Sequence, residues 1–534
     1  MKKQFISAFL TLALCSAMFA GCAKDESKNP PVTTDATAAT TVADTNVTEE
    51  VTTTEEVTTA EVEEVLDPGI YLNGNPLNLA EEETFDLNML SVENGITVKW
   101  VEEDGETVFV NGEEITDSVK LDVTSIKRDE VLNIEVKKGE ETSAYTINLM
   151  PTTFPEYTTE GESTTDGDFY LSTYDLAQNY IFKLNNKGEL IFYKAITKTD
   201  DNGNEVNTNG LDFRKQYTSD NKVRYTYMPY LEDIFAGDCG GINPGSVVVM
   251  DENYNKIDEI FYFTEDGEKI CIDPHGFIWK DEGHYILTAY KEEKHDVPAD
   301  IDVTNEKVNL AVLYIQEIKD GEILWEFCSA DYDRFIGESN SIDWTKDEDY
   351  CHDYVHFNSM HCDADDNILV SCRHLDAILK ISTTDGSLIW QLGGDNDEFG
   401  LAKDQLFSYQ HSIILTDNGS YMLFDNADTA VWAGEATASS VVRITVDEAA
   451  KTVTDFVRYS VVDFFSLYMG AIREIDSENS VYLWSVGGNY QTDSKNPPEW
   501  SMVEYAEVDG EAEHIFRFRF ENGTRRLYCA NKCK

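Results

Sequence analysis

The chain has 534 residues, about 3.6 times a typical 150-residue domain, and its 41 basic against 101 acidic side chains give a net charge of −60. At 41% hydrophobic and 11% aromatic residues it has apolar surface enough for a substantial core, which excludes wholesale disorder. So negative a field also excludes nucleic acid and anionic membrane surfaces as partners, and an anionic substrate needs cationic groups gathered at one spot.

In chain order, Lys2 and Lys3 precede an uncharged apolar run from Phe5 to Ala20, closed by Gly21 and Cys22. The pattern predicts an export signal over residues 1–22. Its ending, Phe19-Ala20-Gly21-Cys22, resembles the bacterial lipobox with Phe19 in place of the usual Leu. That implies a diacylated Cys22 as the mature N-terminus, and an extracytoplasmic cell-envelope lipoprotein at the cell surface or in the periplasm. A plain secretory signal with a chance cysteine is the alternative. Eight cysteines remain beyond Cys22, an even count that suits an oxidising compartment. No Cys-x-x-Cys pair occurs among them, and Cys529 with Cys533 reads as a staple at the C-terminus.

Residues 23–67 are Thr, Glu, Val and Ala with almost no aromatics; they cannot bury enough apolar area to offset their ordering entropy and read as a disordered acidic tether. Residues 68–152 alternate in short runs such as ITVKWVEE and LNIEVKKG, separated by Asn-Gly and Asp-Gly turns. This predicts a small N-terminal β-sandwich.

Residues 153–534 repeat. A hairpin-like pair of apolar runs recurs from Tyr180, Ser246, Leu313, Ala377, Ser440 and Ser501, every 61 to 67 residues. Ahead of most copies stands one more strand of similar flavour: DFYLSTY, RYTYMPY, HYILTAY, NILVSCR, SYMLFDN and VYLWSVG. Six such units predict an all-β chain whose main domain is a six-bladed β-propeller. Two stacked sandwiches with evenly spaced hairpins are the competing fold.

Propeller blades converge on a central channel, so a residue type that recurs at one blade register marks a ring. His275 stands eleven residues before Ile286, His411 eleven before Met422 and His356 twelve before Ile368. One such histidine alone is more often a hydrogen-bonded core residue; three in register across consecutive units point to a site. Arg373, just past the strand that follows His356, offers a planar fork of donors for a tetrahedral oxyanion, against the plainer reading of a surface ion pair.

The stretch from Asp273 to Asn426, with DPHGF, then HFNSMHCDADDNILVSCRHLDAILKISTTDGSLIWQLGG, then QHSIILTDNGSYMLFDN, resembles the bacterial aryl sulfate sulfotransferase family. The resemblance implies transfer of a sulfuryl group from a phenyl sulfate donor to a phenolic acceptor. His411 would be the nucleophile and form a transient sulfohistidine, with His275, His356, Asn358 and Arg373 around the sulfate. No nucleotide donor is expected, since neither a GxxxxGK[ST] loop nor a strand-linked GxGxxG occurs; no metal or other cofactor is expected either, because the fixed cation of Arg373 disfavours a bound metal. Two other functions stay open on the residues alone: a metal-dependent hydrolase or lyase with a three-histidine site, and a non-catalytic surface propeller that captures ligands. A homodimer is neither indicated nor excluded.

Overall fold

The computed structural model describes residues 66–533 apart from 80–83, 103–104, 201, 232–243, 265–266, 268, 300, 302, 428, 431–433, 435–437, 460–464, 486, 488–499, 509–510, 522–526 and 528. The export signal with Cys22, and the tether, lie outside the described residues. The chain is all-β, 54% strand with almost no helix.

Between residues 69 and 148 the strands form two sheets. In one, Gly69–Leu72 lies between Asn75–Pro76 and Ile96–Val101, with Ser118–Leu121 beyond; the other runs Thr84–Asp86, Glu141–Asn148, Val131–Lys138, Glu106–Val110, Glu113–Ile115. Alternation puts Ile96, Val98 and Trp100 on the buried face of their strand. They share one apolar cluster with Leu132, Ile134 and Ile147 of the second sheet, and with Phe182 and Phe518 from the remainder of the chain. Strand Met89–Ser91 leaves this region and adds itself to the edge of Leu190–Ala195. The N-terminal part is therefore sewn to the larger, C-terminal part.

Beyond residue 153 the described residues hold six sheets of four or more strands, antiparallel except that Cys351–His352 pairs parallel with Lys307–Lys319. The runs from Tyr180, Ser246, Leu313, Ala377, Ser440 and Ser501 are in each case the third and fourth strands of a sheet, and the six shorter runs ahead of them are the second strands. Two sheets borrow strands from far away: Asn531–Cys533 near the C-terminus is the innermost strand beside Asp168–Ser172, and Tyr157–Gly161 is the outermost strand beside Glu511–Phe520. Neighbouring sheets touch in cyclic order. Asn531 Nδ2 donates to Asp212 Oδ1 at 3.0 Å, Gly245 N to Ile272 O at 2.9 Å, and Ile413 N to Ser359 Oγ at 3.0 Å. Ile472 N donates to Ser412 Oγ at 3.0 Å and Arg473 Nε to Asn531 Oδ1 at 3.1 Å. Gly276 continues the series, since a Cβ there would lie 2.5 Å from the Phe357 ring.

The expected Cys529–Cys533 staple does not form. Cys529 donates its thiol to Asp212 at 3.4 Å within a cluster of Tyr174, Leu211 and Tyr230, whereas Cys533 packs beside Tyr170 and Phe192. Non-covalent pairing holds the C-terminal strand instead. The ammonium of Lys532 lies 3.4 Å from Glu504, both side chains fully buried, and also meets the hydroxyls of Ser163 and Thr165. Lys532→Met leaves the Glu504 carboxylate buried without its cation. We expect a loss of about 3 kcal/mol in unfolding free energy, read as a lower urea midpoint at unchanged slope; an unshifted midpoint contradicts this role.

Candidate active site

The three histidines in register occupy one structural position. His275 stands two residues before the first-strand segment Phe277–Asp281, His356 immediately precedes Phe357–Cys362, and His411 opens His411–Leu415. Two of these strands begin with a bulge, between Phe357 and Ser359 and between His411 and Ile414. Left-handed backbone accompanies them at His356 (φ 46°), Tyr409 (φ 53°) and Ser412 (φ 61°). A bulge re-aims side chains, and each left-handed non-glycine residue costs on the order of 1 kcal/mol.

All three rings are buried, at 0, 3 and 0% exposure for His275, His356 and His411. The His275 and His356 ring centroids are 5.4 Å apart, and the His374 ring lies 4.6 Å from His356, tilted by 46°. Arg373 links this group to the segments that flank His411. Its Nη1 donates to His374 Nε2 at 2.8 Å, its Nη2 to Leu467 O at 3.2 Å, and its guanidinium lies 4.2 Å over the Tyr409 ring, in cation–π range. Asn358 reaches the same strand from the other side, Nδ2 donating to Gln410 O at 2.6 Å. It thereby fixes the residue next to His411.

The partners of the three rings differ. His275 Nδ1 meets Asp273 Oδ1, which also accepts the His275 backbone N–H at 2.8 Å. His356 Nδ1 meets Asp353 Oδ2, whose other oxygen accepts the His356 N–H at 3.0 Å. His411 faces a neutral amide in the corresponding place: its Nδ1 bonds Asn426 Oδ1 at 2.7 Å and the Tyr409 carbonyl at 3.1 Å. At the opposite edge of that ring the Met469 backbone N–H donates to Nε2 at 3.1 Å.

Burial decides the protonation states. It holds His411 well below the ordinary imidazole value, helped by the Arg373 guanidinium and opposed by the bond to Asn426. It does the same to His356, reinforced by His275 and Arg373, and to His374. Burial raises the Asp273 and Asp353 carboxyls, offset chiefly by His275 and His374 respectively. Asp376, which accepts the Tyr409 N–H at 2.7 Å, is pushed up by burial to about 7. His356 and His411 are thus neutral at physiological pH, with lone pairs available for chemistry.

The one metal-like grouping among the described residues is Asp353, His356 and His374, with ligand atoms within 4.8 Å of one another. It does not fit a cation. His374 donates Nδ1–H to Asp353 O at 2.6 Å and accepts from Arg373 at Nε2, so neither ring nitrogen has a lone pair to give, and the guanidinium adds repulsion.

The structure thus brings His275, His356, Arg373 and His411 into one electrostatic neighbourhood and places Asn358 as a brace of the His411 strand. Asp273, Asp353, His374, Asn426 and the Met469 amide complete the set. The two aspartates stand two and three residues before their histidines in DPHGF and DYVHF, a spacing that suggests a side-chain partner. Asn426 and Met469 have no such local signal, because sheet pairing brings them in.

Fold and site together define an all-β protein with a buried histidine–arginine centre at the junction of neighbouring sheets. Residues 234–496 match the family Arylsulfotransferase (ASST), which supports placing the chain with that family. No curated protein matches the chain. Among solved structures it is similar to a protein of unknown function from Bacteroides caccae (9% identity, 69% of this chain and 100% of that one, TM-score 0.37). Virginiamycin B lyase from Staphylococcus aureus (11%, 62% and 96%, TM-score 0.29) and TolB from Acinetobacter baumannii (9%, 76% and 80%, TM-score 0.34) are similar to it as well. At these scores the structural likenesses carry no argument.

Proposed function

We propose that the protein moves a sulfuryl group from a phenolic sulfate ester to a phenolic acceptor through a covalent adduct on His411. The family match supplies aryl sulfotransfer at the family level. The observation that carries the finer reading is the contrast among the three imidazoles: two are paired with buried carboxylates, and one, His411, with a neutral amide.

In the first half-reaction the His411 Nε2 lone pair attacks sulfur, the S–O(aryl) bond breaks, and the phenolate departs with the bonding electrons. Nε2 exchanges its contact with the Met469 N–H for the sulfur atom. Arg373 faces the oxygens of the transferring group, where charge shifts as the S–O bond loosens, in the manner of phosphoryl transfer. His356 is neutral, so of the two carboxylate-backed imidazoles it is His275 that is placed to hand a proton to the leaving oxygen. In the second half-reaction His275, having given up that proton, takes the acceptor's proton, the acceptor oxygen bonds sulfur, and the N–S electrons return to Nε2.

On this reading the six sheets are blades of one propeller with the site at its axis, and residues 68–152 form a sandwich that spaces it. Residues 23–67 tether both to a lipidated Cys22 at the cell envelope.

The test is release of nitrophenolate from 4-nitrophenyl sulfate in the presence of phenol, before and after exhaustive chelation. We expect turnover with phenyl sulfate as second product, undiminished by chelator. Activity that disappears on chelation and returns with a divalent cation supports the hydrolase or lyase alternative and refutes this one.

A further inference from the structure

The proton inventory around His411 closes in one way. Asn426 is fully buried, and its side-chain nitrogen lies 2.8 Å from Ser466 O and 3.0 Å from Met469 O. Both carbonyls only accept, so the amide presents its two hydrogens to them, and the atom left to face His411 is the oxygen, which also only accepts. The ring nitrogen 2.7 Å from that oxygen, Nδ1, therefore bears a hydrogen. The Tyr409 carbonyl at 3.1 Å from Nδ1 asks for the same hydrogen. At the far edge of the ring, Met469 N–H donates to Nε2 at 3.1 Å, which requires a lone pair there. Three contacts to the ring thus specify one tautomer, and Asn426 supplies the shortest of them while holding the 466–469 segment that supplies another.

From this we infer that Asn426 is a positioning residue for the transfer reaction: it keeps the proton on His411 Nδ1, so that Nε2 is the atom that attacks sulfur, and its neutrality keeps the resulting adduct short-lived. The inference rests on the sulfuryl-transfer reading above. With Nδ1–H retained, the adduct is an N-sulfonated imidazolium, and a neutral imidazole departs when the acceptor oxygen attacks. A carboxylate at position 426 would pair with that cation, or draw off its proton and turn the leaving group into an imidazolate. Either change makes the N–S bond harder to break. His275 and His356 are backed by carboxylates and are suited to carry protons; His411 is backed by an amide and is suited to carry sulfur. Among the described residues, the titratable and charged groups that act most on His411 are Arg373, His356 and His275; Asn426 and the Met469 amide bring no charge.

The experiment separates the half-reactions in N426D, N426L and unaltered enzyme. The nitrophenolate burst is followed against pH without acceptor, and adduct decay is followed after phenol is added. For N426D we expect the acid limb of the burst to move up by about one pH unit or more, because a carboxylate favours imidazolium, and the adduct to transfer at least ~10-fold more slowly. For N426L we expect a slower burst with no upward shift. Equal losses in both variants, with pH midpoint and adduct lifetime unchanged, overturn the inference. Nitrogen-15 NMR of histidine-labelled unaltered protein, with the His411 signal identified by its absence in H411N, decides the point even if neither variant folds. The Nδ1–H tautomer is expected, and an Nε2–H tautomer refutes the assignment. Unaltered enzyme that releases no nitrophenolate sinks the activity reading instead, and the tautomer measurement still stands alone.

Discussion

His411→Asn is expected to lower aryl sulfotransfer by roughly 10⁴-fold or more, because it removes the group placed to form the covalent intermediate, and what remains is binding and electrostatics. Asparagine fills much of the same buried space, and its amide can still donate toward Asn426 Oδ1, the present partner of His411 Nδ1. The fold is therefore expected to persist, as checked by an unchanged near-ultraviolet circular dichroism spectrum. A folded H411N protein at full rate assigns the nucleophile elsewhere. The size of the effect separates this from a positioning role, which costs far less.

Arg373 is the second large effect. Arg373→Lys keeps a positive charge but loses the planar fork that now spans His374 Nε2 and Leu467 O while lying over Tyr409. We expect kcat/KM to fall about 10² to 10³-fold, the scale of a lost transition-state donor. Arg373→Met should fall further and in a pH-dependent way. The guanidinium is among the influences holding His411 below its ordinary value of 6.5, so its removal lets His411 rise. More of the nucleophile is then protonated as pH falls, and the loss relative to unaltered enzyme should be larger near pH 6 than near pH 8. A loss of the same factor at both pH values contradicts an electrostatic link between Arg373 and His411.

The sequence and the structure agree where the information is local. The hairpins from Tyr180 to Ser501 were legible because alternating apolar runs and turn residues signal two adjacent strands. The second strands were legible as short apolar runs, most of them rich in aromatics. First strands were not: Phe357–Cys362 and His411–Leu415 begin on bulges and left-handed residues, which break the two-residue period. Nor were the borrowed strands, since Tyr157–Gly161 pairs with Arg517 and its neighbours more than 350 residues on and nothing near either segment records the other. The C-terminal staple failed for a related reason. Four-residue spacing made a disulfide plausible, but strand Asn531–Cys533 pulls Cys533 toward Tyr170 while Cys529 stays with Asp212.

At the site, residue types in register were enough to find His275, His356 and His411, and a guanidinium one strand later to find Arg373. The partners that divide their labour required the sheets. Asn426 lies fifteen residues from His411, and the Met469 amide comes from the next sheet's approach; neither distance has a sequence period. Asn358, expected at the sulfate, also donates to the Gln410 carbonyl, a contact with no sequence signal that holds the His411 strand against its neighbour.

The central claim is a sulfur–nitrogen bond to His411. Intact-protein mass spectrometry after incubation with 4-nitrophenyl sulfate and no acceptor, followed by peptide mapping under alkaline conditions, tests it directly. The account predicts an acid-labile gain of one SO₃ unit, located on the peptide containing His411, absent from H411N and discharged by phenol. Turnover without any such adduct, or an adduct on His275 or His356, contradicts it.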